Sequence, residues 1–227
     1  AMLILLKTKK KTIFNREPEV QNGSITSGDR KQMKIQKMFK ESITKEELTD
    51  LPLKWFKGEI VLVDTLEKVK YAAGILSKQA VIGFDTETRP AFKKGVIYNV
   101  ALLQLSTSKQ AFLFRLNKIG LPAEIRDIFA NPEIIKPGVA IRDDIKGLKK
   151  FKNFKAQGFI ELQDHAKELG IQNFSLKKLT AIVLGFRISK SQQLSNWEAD
   201  SLTEAQQIYA ATDAWTALEI FENFSNN

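Results

Sequence analysis

The sequence has 227 residues, 43% hydrophobic and 27% charged, which is the make-up of one ordinary globular domain with an appendage. It contains no cysteine, which excludes a disulfide framework, a thiolate metal site and a cysteine nucleophile. No run reaches the roughly 18 apolar residues of a membrane span, so a soluble, cytoplasmic protein without a membrane partner is expected.

The formal charge of +9 is unevenly spread. Residues 1–40 carry ten Lys/Arg against three acids, whereas residues 41–227 carry 25 against 23. A basic arm of this kind either adds non-specific phosphate affinity or is simply solvated. With Lys9-Lys10-Lys11 and the polar stretch Gln21 to Gly28, residues 1–50 read as a poorly structured or extended arm, and residues 51–227 as the domain. Ala1 before Met2 resembles a cloning remnant, and Met33 and Met38 are alternative starts. Thr44 and Glu47 have the spacing of a capping box at a helix entry.

Beyond Trp55 the pattern becomes regular. Residues 59–63 read as a strand and 65–76 as a helix. The apolar run from Ala80 to Asp85 suits a buried strand that ends in an acid. Residues 100–105 and 111–114 read as a hairpin. A helix over 121–130 and a strand over 136–140 follow. Helices are expected over 143–152, 164–169, 175–184 and 203–224. Strands that begin as a hairpin and end interleaved with helices predict an α/β fold with a mixed sheet.

Three segments carry candidate chemistry. Asp85 and Glu87, two positions apart on a strand, share one face. Two such carboxylates beside an apolar run either hold a hard cation such as Mg²⁺ or Mn²⁺ or mark a solvated strand end. Tyr209 and Asp213 stand at i and i+4 on a helix, one above the other. Tyr209 also reads as a half-buried aromatic with a satisfied hydroxyl. Between these, Asp143 suits a helix N-cap and Asp144 its first turn.

Taken together, Phe84-Asp85-Thr86-Glu87-Thr88, Pro137 to Leu148 and Tyr209-x-x-x-Asp213 resemble the three exonuclease motifs of the DEDD 3′–5′ exonucleases. The tyrosine places the chain with the DEDDy branch, since position 208, where the histidine branch has its histidine, is isoleucine. Ser195-Asn196-Trp197-Glu198 and Tyr209 to Ala214 are similar to the Werner-syndrome helicase exonuclease domain and its bacterial relatives, and more distantly to RNase D. The likeness spans roughly residues 58–224.

The resemblance implies a ribonuclease-H-like mixed sheet flanked by helices and two divalent cations, Mg²⁺ or Mn²⁺. It implies Asp85, Glu87 and Asp213 at one cation, Asp85 and Asp144 at the other, and Tyr209 orienting the attacking water. The partner is a nucleic acid with a free 3′ end. The motif register selects Asp144 over Asp143. Thr86 is implied at the terminal sugar, with Gln104, Lys190, Ser195 and Trp197 as further substrate contacts. Trp197 could stack on a base, but a core position is the stronger reading of a tryptophan. Only fourteen residues follow Asp213, too few for the helical RNA-binding domains of RNase D, which favours DNA. The alternatives are an RNase D-like RNA exonuclease and a catalytically silent nucleic-acid-binding module of the same fold.

Overall fold

A computed structural model of the chain describes residues 39–226. The basic stretch up to residue 38 therefore lies outside the described residues. The described end of the expected arm carries helix α1 (Lys45–Asp50), with the capping box in place: the Thr44 hydroxyl accepts from the Glu47 amide, and the Glu47 carboxylate accepts from the Thr44 amide. Ile43 and Leu48 pack against Ala181.

Strand β1 (Glu59–Val63) leads into helix α2 (Leu66–Leu76), N-capped by Thr65 as its sequence suggests. Strands β2 (Gly83–Thr88), β3 (Val100–Ser106) and β4 (Gln110–Arg115) follow. They form a sheet of order β1-β4-β3-β2, in which β2, β3 and β4 are antiparallel and β1 is parallel to β4. After the short helices α3 (Leu116–Ile119) and α4 (Ala123–Ala130) comes β5 (Lys136–Gly138). It pairs in parallel with β6 (Phe159–Glu161), a three-residue strand too short for its periodicity to register in the sequence. A bridge between Val81 and Ile135 ties this pair to the entry of β2. The sheet is thus mixed, as expected.

Helix α5 (Ile141–Lys149) intervenes between β5 and β6, and α6 (Leu162–Glu168), α7 (Leu176–Leu184) and α8 (Glu204–Asn226) complete the described chain. No described helix is long and apolar enough to cross a membrane.

Alternation along the strands sets the two cores. Phe84, Leu103, Leu105, Phe112 and Phe114 face α2 and α4 and pack with Val69, Ala72, Leu76, Ile125 and Phe129. The opposite face, with Leu102 and Leu113, meets Ala210 and Ala211 of α8. The far side of α8 packs Ala217, Ile220 and Phe221 on α6 and α7. A helix covered on both sides is apolar nearly all round, which is why α8 has little amphipathic character. Its approach to β2 is close: a Cβ on Gly83 would stand 1.9 Å from the Ala214 carbonyl oxygen. Glycine at 83 is what lets the Asp213 end of α8 sit over the Asp85 end of β2.

Two elements start elsewhere than the sequence suggests. Strand β2 begins at Gly83 and continues to Thr88, so Asp85 and Glu87 lie within the strand and not at its end. Helix α5 begins at Ile141, so Asp143 is in its first turn and is not its N-cap. The N-cap is Ala140, at φ 61°, ψ 32° with no side-chain bond of its own. Left-handed backbone costs an L-residue about 1–2 kcal/mol. The Glu161 carboxylate offsets this by accepting from the Ala140 and Ile141 amides, both at 2.9 Å.

Candidate active site

Asp85 and Glu87 rise from one face of β2, and Asp213 meets them from α8. Oxygen atoms from these three carboxylates lie within 4.8 Å of one another. Asp213 is 7% exposed. Among the described residues no lysine or arginine is ion-paired to any of the three, so no direct ion pair offsets their mutual repulsion. They line a cleft of about 230 Å³ with Thr86, Lys177, Lys190, Gln193 and Tyr209.

The proton affinities reflect this crowding. Burial holds the Asp85 carboxyl well above the usual carboxylate range, and the charges of Asp213, Glu87 and Asp144 add to it. Glu87 is raised by burial, then by Asp213 and Asp144. Asp213 is raised by burial in spite of a hydrogen bond from Tyr209 and the positive charge of Lys190. Three crowded, largely desolvated carboxylates that cannot all ionise alone form a donor set that hard divalent cations fit. Asp85, Glu87 and Asp213 would hold such an ion.

Asp144 stands beside this group rather than within it. Its carboxylate accepts a 2.6 Å hydrogen bond from the Thr86 hydroxyl, which projects from the opposite face of β2 to Asp85. Burial pushes Asp144 up to about 6, against the lowering effect of the Thr86 bond. Asp143 differs sharply: its side chain is 90% exposed and is ion-paired to Lys146 at 2.9 Å. That bond holds its carboxyl below the usual range.

The Tyr209 hydroxyl lies one helical turn from the Asp213 carboxylate and favours its charged form. Burial and the surrounding acids push its ionisation far above the ordinary tyrosine value, so the hydroxyl is a donor throughout the working pH range and not a base. Tyr209→Phe is expected to slow the reaction by roughly 10–100-fold through lost positioning. The shape of its pH–rate profile should match the wild type. Disappearance of one limb of that profile would make Tyr209 a proton-transfer group instead.

The substrate-contact candidates divide. Lys190 is exposed in the acid cleft, and Thr86 lines it. Ser195 donates to Gln192 at 2.7 Å and is not part of that cleft lining. Trp197 is fully buried, packed with Leu102, Leu113 and Ala210 and 6.0 Å from the Tyr209 ring. It has no free face for a base, which corrects the stacking expectation. Gln104 is also fully buried, paired with Asp85 across β2 and β3, and its amide has no hydrogen-bond partner among the described residues. It offers no surface to a substrate from this position. Lys177 is in the cleft although no spacing announces it; it arrives on α7, where burial and then the charges of Lys190 and Arg187 hold its ammonium below the usual lysine range.

A buried carboxylate group between the edge strand of a mixed sheet and a covering helix defines a ribonuclease-H-like nuclease fold. A family profile described as 3′-5′ exonuclease matches residues 60–227. The chain belongs to the 3′-5′ exonuclease family. It is 33% identical over 198 residues to the mouse bifunctional 3′-5′ exonuclease/ATP-dependent helicase WRN, covering 82% of this chain and 14% of that protein. It is 35% identical over 153 residues to human exonuclease 3′-5′ domain-containing protein 2, covering 62% of this chain and 24% of that one. The chain thus spans much less than two thirds of these relatives. Among solved structures, the EXO domain of Aedes aegypti Nibbler superposes with a TM-score of 0.69 at 25% identity, covering 76% of this chain and 91% of that one. Escherichia coli RNase D shares the fold, with a TM-score of 0.66 at 22% identity, over 73% of this chain and 44% of that one.

The charge arrangement makes the protein's stability depend on pH and on cations. An acid with a raised native pKa keeps a proton that the unfolded chain releases above about pH 4. Each further rise in pH therefore favours unfolding. In EDTA the melting temperature should fall between pH 5 and pH 9, by at least about 5 °C, with the Asp144 share lost first as pH passes about 6. Saturating Mg²⁺ should flatten the fall. A melting temperature that is level or rising over this range in EDTA would show that the four acids are not crowded in solution.

Proposed function

We propose that the chain removes nucleotides from the 3′ end of a nucleic acid, DNA in preference to RNA, using two divalent cations, Mg²⁺ or Mn²⁺. The observation that carries the reading is the convergence of the half-buried Asp85 and Glu87 carboxylates and the buried Asp213 carboxylate, none ion-paired among the described residues, in an open cleft. Asp144, one hydrogen bond from Thr86, supplies the fourth carboxylate beside them. When bound, the cations activate water and neutralise the charge that develops on the phosphodiester and its leaving oxygen.

The chain's own groups do the rest. Asp85, Glu87, Asp144 and Asp213 hold the cations. Tyr209, a permanent donor fixed on Asp213, orients the attacking water. Lys190 and Lys177 meet the phosphates of the bound strand as positive charges on the rim of an acidic cleft. The DNA preference follows the likeness of Ser195 to Glu198 and Tyr209 to Ala214 to the Werner-syndrome helicase exonuclease domain, and the 33% identity to WRN supports it.

A 5′-labelled oligomer in Mg²⁺ or Mn²⁺ should give a ladder that shortens from the 3′ end, and a 3′-labelled one should release mononucleotide at once. DNA should be cut faster than RNA. Internal cuts, or shortening from the 5′ end, would contradict the assigned polarity.

A further inference from the structure

Beside the acid cleft lies a second, larger cavity of about 450 Å³. Tyr209 and Asp213 line both, so the two adjoin at the tyrosine. Its walls are mostly apolar: Leu53, Trp55, Ala205 and Ile208, with Lys54 at the rim. Leu53 and Trp55 are 42% and 40% exposed, unusual for side chains of their size.

This rim is held, not loose. The Lys54 amide donates to the Arg187 carbonyl and the Arg187 amide to the Pro52 carbonyl, both at 3.0 Å. Arg187 Nε donates to the Leu51 carbonyl at 3.0 Å. The Phe56 amide donates to the Thr212 hydroxyl at 3.0 Å, on the same turn of α8 as Asp213. Lys57 Nζ stands 3.5 Å from the centre of the Trp55 ring and lines a neighbouring hollow but not this one. The indole therefore has one face engaged by a cation while its residue also borders the cavity that leads to Tyr209.

We propose that this cavity is a nucleobase subsite, in which an unpaired base of the substrate strand stacks on Trp55 while Lys54 and Lys57 meet the adjoining phosphates. The inference deepens the exonuclease reading and rests on it for the identity of the strand. An aromatic held rigidly at the edge of an apolar hollow loses little freedom on binding, and any base offers it a π-face. The flanking lysines match the charge of a sugar-phosphate backbone. Glu204, on the same lining, suits the amino edge of a base and not a phosphate.

The test uses the full chain. Of its three tryptophans, Trp197 is buried and Trp215 half-buried, so Trp55 dominates the exposed emission. A short single-stranded oligomer added in EDTA should quench that emission, and a blunt duplex should quench it much less. Trp55→Ala should weaken binding roughly 10-fold and raise KM in Mg²⁺ by a similar factor with kcat little changed. Trp55→Phe should restore most of both. Unchanged Kd and KM in Trp55→Ala, in a protein that still cleaves, would overturn the subsite and leave the nuclease reading standing. Trp55-dependent binding without metal-dependent cleavage would do the reverse. Burial of Trp55 by concentration-dependent self-association would assign the face to a second copy and overturn the subsite.

Discussion

Asp213→Asn and Asp85→Asn are each expected to lower cleavage by roughly 10³-fold or more, the kinetic equivalent of about 4 kcal/mol of transition-state stabilisation. EDTA should bring the wild type to the same level. The expectation follows from where these acids stand. Asp85 feels Asp213, Glu87 and Asp144 together, and Asp213 is the carboxylate through which Tyr209 is anchored. Asparagine keeps the size of each side chain but removes the charge that a cation would answer. Folding should not suffer: in metal-free buffer either substitution relieves repulsion, so the melting temperature at pH 8 should rise. This opposite movement of activity and stability separates a cation site from a structural cluster. Wild-type turnover in carefully metal-free buffer would end the metal-dependent account.

Asp144→Asn and Asp143→Asn should behave as differently as two neighbouring acids can. Asp144 is buried against β2 and bonded to the Thr86 hydroxyl, which an asparagine oxygen can still accept, so the local geometry survives substitution. The lost charge should nevertheless cost about 10²–10³-fold in rate. Asp143 is ion-paired to Lys146 at the surface, and an exposed pair of that kind contributes little. Its substitution should leave rate and melting temperature close to wild type. Single-turnover cleavage at saturating Mg²⁺ for both variants, with melting curves as the folding control, gives the comparison. A dead Asp143→Asn beside an active Asp144→Asn would mean that the motif register is displaced by one residue.

Much of the site was legible because the three motifs occur together in order; local geometry supplied only the pairs within it. Two acids at i and i+2 must share a strand face, and Tyr209 with Asp213 at i and i+4 must share a helix face. What lay beyond reach depends on distant chain segments. The cap of α5 was assigned to Asp143 because Asp suits that role, yet the carboxylate that serves the helix start belongs to Glu161, twenty residues on. Trp197 has the same letters in a core as in a stacking platform, and only the packing of α8 on the sheet decides between them. Lys177 reaches the cleft because α7 packs against α8, which no periodicity records. The exposed hold on Leu53 and Trp55 arises from backbone bonds to residue 187, more than 130 positions away. The limits of β2 were displaced for a similar reason: Val81 and Ile82 engage Ile135 rather than the β3 ladder.

On the proposed function, the four carboxylates together hold two divalent cations. Mn²⁺ bound per chain can be counted by electron paramagnetic resonance, with a 3′-terminal phosphorothioate oligomer present so that cleavage does not clear the site. The account predicts two ions on the wild type, one on Asp144→Asn and none held tightly on Asp85→Asn, which removes the carboxylate expected to serve both. Equal binding by the wild type and Asp85→Asn would contradict it.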